Sequence, residues 1–234
     1  MQQKTTGGHN IKFTEGYWLL SERTNGQFAS QAYRIEAMEN GLRVVAPTSP
    51  VLSRGDTLNR PTITIEFLAV SPEVISVRAW HYEGYRTGEA RFEKKETTCD
   101  AVVTITEHEA VLDAGRVSVH VDRKNWGYSF WADGKLLTSS GFHNLGYVRW
   151  DRSVSSMLPQ DNYMKEHEYT PYMTQDLLLA PGENVYGFGE RFTAFVKNGQ
   201  VVETWNEDGG TASQVAYKNI PFYMTNRGYG VFVD

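Results

Sequence analysis

The densest group of side chains able to do chemistry lies between Trp205 and Tyr217. Asn206, Asp208, Gly209 and Gly210 fill four of five consecutive positions, the composition of a tight turn that tolerates left-handed backbone and points polar side chains outward. Such a turn presents the Asp208 carboxylate, which can accept hydrogen bonds from the hydroxyls of a ligand. On turn chemistry alone the plainer role, a solvated Asp208 capping its own backbone, is the commoner one. Tyr217, just past the turn, offers a flat apolar face and a hydroxyl at its edge; it serves equally well as a core residue of the strand leading to Ile220.

Other candidates carry less. Glu190 and Arg191 follow Gly187-Phe-Gly189 and form a carboxylate beside a cation. The glycine pair lacks the third glycine and the Lys-Ser/Thr ending of a phosphate loop. Trp126, Tyr128 and Phe130 share one face of a strand; they could stack on a sugar chain, but the inner face of a sandwich calls for the same large apolar side chains. The six histidines show no metal-ligand spacing and Cys99 has no partner cysteine, so no metal and no cofactor is expected. A Gly-x-Ser-x-Gly elbow is absent, which leaves nothing to support a serine hydrolase.

Three motifs stand in order: Val185-Tyr-Gly-Phe-Gly-Glu-Arg191, Thr204-Trp-Asn-Glu-Asp-Gly-Gly210 and Ala216-Tyr-Lys-Asn-Ile-Pro-Phe-Tyr-Met-Thr-Asn-Arg-Gly-Tyr-Gly230. Together they resemble the end of the N-terminal β-sandwich of glycoside hydrolase family 31, within it the bacterial α-xylosidases. The resemblance implies a galactose-mutarotase-like supersandwich followed by a (β/α)8 barrel of about 250 residues. That barrel would carry both catalytic carboxylates, standing roughly 5 to 5.5 Å apart as retaining glycosidases require. No catalytic residue is therefore expected in this chain. Asp208 becomes a substrate contact from a loop over the barrel mouth, Tyr217 lines the same site, and Glu190 and Arg191 become a structural pair supporting the loop. Trp205 is expected to pack beneath it. The implied activity is hydrolysis of terminal α-xylosyl or α-glucosyl linkages by the whole enzyme, this chain being inactive alone. The alternatives are a free-standing carbohydrate-binding module or a structural assembly domain.

The rest of the chain supplies the strands that must hold this turn in place. Residues 17–20, 32–37 and 42–46 are strand-like, with Asn40-Gly41 as a two-residue hairpin turn between the last two. Residues 63–68 and 74–80 alternate around Ser71-Pro72, as do 102–106, 110–112 and 117–122. Asp133-Gly134 between apolar flanks is a strong hairpin signal. Residues 84–100 are polar and are expected to form a surface loop, and 139–172 show no period and are expected to form a long connection packed on the sandwich. Regularly spaced strands without a helical period define an all-β, antiparallel β-sandwich with few helices. No composition break divides residues 1–234, which are expected to form a single N-terminal β-sandwich domain.

Composition sets outer bounds. Hydrophobic residues make up 40% and charged residues 22% of the 234, an ordinary globular mix that favours neither disorder nor a membrane class. A net charge of -5 without basic clusters argues against a nucleic-acid partner. No apolar run reaches membrane-span length. A lone cysteine and an N-terminus without the apolar core of a signal peptide point to a reducing, cytoplasmic setting. The chain stops at Asp234 within a strand-like run, so it is expected to be a fragment or an excised domain. Its expected partners are an α-xyloside or α-glucoside and its own barrel, and the whole enzyme could assemble as a homo-oligomer.

Overall fold

The computed structural model describes residues 13–15, 19–22, 24–58, 60–84, 99–151, 169–206 and 216–233. Among them the named strands all pair antiparallel, and the one helical element is a 3-10 turn at Arg54–Thr57. It divides into two compact units, residues 13–178 and residues 179–234 with 1–12.

In the larger unit, β1 (Thr14–Glu15) and β2 (Leu19–Leu20) form a short ribbon. β3 (Thr24–Phe28) comes next in the chain. β4 (Arg34–Met38), β5 (Gly41–Pro47), β6 (Thr62–Ser71) and β7 (Val74–Trp80) form a four-stranded meander. β8 (Val102–Ile105), β9 (Glu109–Asp113), β10 (Val117–Asp122), β11 (Gly127–Ala132) and β12 (Lys135–Ser140) form a five-stranded one. The two meanders share one core because each alternates with period two. Leu42, Val44, Ala46, Ile63, Ile65 and Phe67 from the first meet Ala110, Leu112, Val119, Val121 and Tyr128 from the second, all buried. The Phe67 ring lies edge-on to Tyr128 at 5.2 Å and to Phe130 at 6.3 Å. Trp126 and Tyr128 therefore belong to the inner face, and burial pushes the Tyr128 phenol up to about 12.

Two expectations about local structure change. In the β4–β5 hairpin the loop is Glu39-Asn40, Asn40 takes the positive φ of 55°, and Gly41 already pairs with Met38. Gly41 is there for closeness: a Cβ would stand 2.6 Å from both the Phe67 carbonyl and the Leu68 side chain. At Asp133-Gly134 both residues have positive φ, 48° and 73°, the turn the dipeptide announces. Residues 139–172 are the larger correction, since they contain β13 (Leu145–Asp151) and the start of β14 (Tyr169–Gln175). β13 is the middle strand of a three-stranded sheet between β14 and β3. The polar segment expected as a surface loop falls mostly on residues 85–98, outside the described residues.

The smaller unit holds β15 (Val185–Gly189), β16 (Asn219–Thr225) and β17 (Gly230–Phe232) as an antiparallel sheet in that order. The long segment from Glu190 to Lys218 leaves and re-enters this sheet between β15 and β16.

Candidate functional site

The segment that carries the candidate turn departs from a bulge. Register slips between Gly187 and Gly189, where Gly187, Phe188 and Gly189 all have positive φ, at 127°, 68° and 84°. An added Cβ at Gly189 would lie 2.2 Å from the Lys218 carbonyl, and at Gly187 2.5 Å from that of Phe222, so no other residue fits without moving β16. Phe188 holds a conformation costing an aromatic residue of order 1–3 kcal/mol. Its carbonyl accepts from Arg191 Nε at 3.2 Å and its ring packs 5.6 Å from that of Tyr223.

Beyond the bulge, Glu190 N donates to the Lys218 carbonyl at 3.1 Å, and Lys218 Nζ reaches the Glu190 carboxylate at 3.1 Å. That ion pair is largely exposed and worth little. Glu190 and Arg191 are thus not partners of each other. Arg191 instead turns its Nη2 to the Glu203 carbonyl and the Asn219 side-chain oxygen. Burial pulls the guanidinium below its ordinary value, partly offset by the Glu203 charge.

Asn219, the first residue of β16, ties the two ends of the turn segment together. Its Nδ2 lies 2.7 Å from the Trp205 carbonyl, 2.9 Å from Asn206 Oδ1 and 2.7 Å from the Ala216 carbonyl. Its backbone N–H donates to Asn206 Oδ1 at 3.1 Å. A parallel bridge between Asn206 and Ala216 completes the closure. One amide thereby fixes the chain on both sides of residues 207–215, the span holding Asp208, which lies outside the described residues. Tyr217 stands at this neck and is 67% exposed, so it is not a core residue; Trp205 is 70% exposed rather than packed beneath a loop.

The outgoing segment is fastened at a second place. Lys197 is buried, and its Nζ donates to Thr193 Oγ1 at 3.0 Å and the Ala194 carbonyl at 2.6 Å. Burial lowers its pKa, helped by the Arg191 charge. Asn198 Oδ1 accepts from Val185 N at 2.8 Å, and its Nδ2 donates to the Glu183 carbonyl at 2.8 Å. The Glu183 carboxylate is buried and accepts from Ala180 N at 2.7 Å. Burial raises its pKa, but the neighbouring Tyr229 and Thr225 hydroxyls, the hydrogen bond from Ala180 and the charge of Arg227 outweigh it and hold the group below its ordinary value.

The sequence reading named Asn206 only as a turn residue and did not single out Asn219 or Lys197. The first two lie inside the quoted motifs, but nothing in their spacing announces that their partners are backbone carbonyls. Among the described residues, no group of three or more His, Cys, Asp or Glu could hold a metal ion. No described helix is long and apolar enough to cross a membrane.

Two antiparallel meanders packed on one shared core define the larger unit as an all-β sandwich. Residues 63–234 match the glycosyl hydrolase 31 N-terminal galactose mutarotase-like domain, and the chain belongs to that family. It is 37% identical over 227 residues to the α-xylosidase XylQ of Lactiplantibacillus pentosus, a match covering 96% of this chain and 27% of that protein. It is 34% identical over 233 residues to an α-xylosidase of Emericella nidulans, covering 96% of this chain and 29% of that protein. The chain thus spans about a quarter of the length of these curated relatives. In fold it is similar to a cycloalternan-forming enzyme of Listeria monocytogenes solved with a pentasaccharide substrate, with a TM-score of 0.63 at 16% identity, over 90% of this chain and 18% of that one.

Proposed function

We propose that this chain is the N-terminal region of a retaining glycoside hydrolase acting on α-xylosyl or α-glucosyl linkages, and that it contributes the turn carrying Asp208 to the sugar site of a following catalytic barrel. The observation that carries this reading is the Asn219 clamp. An amide whose two N–H groups are shared among three acceptors around one neck, with Trp205 and Tyr217 exposed on either side of it, suits a segment held ready for a ligand. The α-xylosidase relatives supply the substrate class.

In this reading Asp208 accepts hydrogen bonds from sugar hydroxyls and Tyr217 offers its ring face to the sugar. The nucleophile and the acid/base belong to the barrel, and the two units described above work as one N-terminal domain. The buried free Cys99 suits a cytoplasmic setting. The test is Asp208→Ala in the full-length enzyme. A hydrogen bond from a hydroxyl to an ionised carboxylate is worth roughly 1.5 to 3 kcal/mol, so kcat/KM for an aryl α-xyloside falls about 10- to 100-fold with an unchanged melting temperature. Unchanged kinetics return Asp208 to the role of an ordinary turn residue.

A further inference from the structure

The strand whose inner face builds the core with Tyr128 and Phe130 carries Trp131 on its other face. Trp131 is half-buried and lines a shallow groove of about 280 Å³ together with His120, Arg116, Asp113 and Asp133. Two features hold this side chain in place. Trp131 Nε1 donates to Ser129 Oγ at 2.8 Å, which fixes the indole and leaves its polar edge satisfied within the chain. Across the ladder Trp131 faces Ser118, and the His120 ring lies tilted against it at 5.7 Å, forming a wall.

The polar rim is equally preset. The turns at Asp113–Arg116 and Asp133-Gly134 are joined by Asp133 N donating to the Arg116 carbonyl at 3.2 Å, and Arg116 N donates to the Pro72 carbonyl at 2.9 Å. Arg116 spans Glu73 at 2.5 Å and Asp133 Oδ2 at 3.2 Å, while Asp113 Oδ1 accepts from Gly115 N at 2.8 Å. Each carboxylate keeps further acceptor capacity, since an ionised carboxyl offers about four lone-pair sites. Gly134 has nothing within 4 Å of where a Cβ would be, so this end of the groove stands open.

An apolar ring face bordered by two carboxylates and a guanidinium matches a pyranose, which has a face of C–H groups and an equator of hydroxyls. The volume lies at the lower edge of the roughly 300 Å³ typical of small-molecule sites, enough for one ring and not for a chain of them. We propose that the groove on the outer face of β9, β10 and β11 is a carbohydrate-binding subsite for a single pyranose, stacked on Trp131 and hydrogen-bonded by Asp113, Asp133 and Arg116. This rests on the geometry of the larger unit and not on the role of Asp208, so either reading can fail without the other.

The test is a titration of the 15N-labelled 234-residue chain with methyl α-D-xylopyranoside and, separately, methyl α-D-glucopyranoside, following the indole N–H resonances. The expected result is a saturable shift of the Trp131 resonance by one or both sugars, with a midpoint in the millimolar range. Trp131→Ala weakens binding about tenfold or more, as read from backbone amides of β10. Asp133→Asn weakens it severalfold, and asparagine takes the same positive-φ turn position, so this variant decides the matter if Trp131→Ala does not fold. Tyr82→Ala, which removes an 84% exposed aromatic elsewhere on the larger unit, leaves binding unchanged. No saturable shift up to about 50 mM of either sugar, or a shift that persists in both groove variants, overturns the proposal.

Discussion

Replacing Asn219 by alanine removes one side chain that four partners share. The carbonyls of Trp205 and Ala216 and the Asn206 side chain lose a donor, and Arg191 Nη2 loses an acceptor. A neutral hydrogen bond is worth about 1 kcal/mol net, and one to a charged group about 1.5 to 3 kcal/mol. Four contacts shared by one amide are not additive, and Asn219 is only half-buried, so water recovers part of the loss. The expected cost of opening the neck is about 2 to 3 kcal/mol, which raises the population of the open neck about 30- to 150-fold. Limited proteolysis at residues 207–215 reads that population directly when opening is fast relative to cleavage. The expected result is cleavage accelerated by one to two orders of magnitude, while hydrogen exchange in β9, β10 and β11 stays as in the wild type. Asn219→Asp separates the two halves of the clamp, since it keeps an acceptor for Arg191 but turns a carboxylate toward the carbonyls. It is expected to loosen the neck as alanine does. Wild-type cleavage rates in Asn219→Ala would refute the clamp.

Phe67→Ala empties the centre of the sandwich, where the ring is fully buried against Tyr128 and Phe130; a loss of about 3 to 5 kcal/mol is expected in denaturant unfolding, and a loss below 1 kcal/mol would contradict the shared core. Gly189→Ala is expected to lower the stability of the smaller unit, because the new methyl meets the Lys218 carbonyl and the φ of 84° disfavours it; a melting curve of the variant checks it. Glu183 has a folded pKa held below its ordinary 4.5, so it contributes stability above that value and loses it as pH falls through the folded pKa. Wild-type protein is therefore expected to lose stability on acidification more steeply than Glu183→Gln, and parallel acid titrations of the two would refute this.

Where residues face one neighbour on each side, the sequence was legible. Leu42, Val44 and Ala46 alternate with Arg43 and Val45 because one face of β5 meets the core and the other does not. Strand β13 was opaque for the opposite reason. It lies between β14 and β3, and Gly146 is small because the Phe28 ring and Thr174 Oγ1 would crowd a Cβ at 2.8 to 2.9 Å. A position shaped by two neighbours distant in sequence leaves no local period. At the candidate site Asn206 was legible only as part of a turn-like composition. The clamp was not, because Asn219 acts on carbonyls, which every residue has. The exposure of Trp205 was equally hidden, since an aromatic beside a glycine turn reads as packing until its surroundings are known.

The Asn219 clamp also bears on what this chain could tolerate between its borders. Both rims of the segment between Asn206 and Ala216 are fastened to the same side chain, so the frame does not depend on what is strung between them. Closing a longer insert costs only about 0.6 kcal/mol for each doubling of length. The neck is therefore a graft site: a segment of new sequence or length could be exchanged there without disturbing the pairing of β15 and β16.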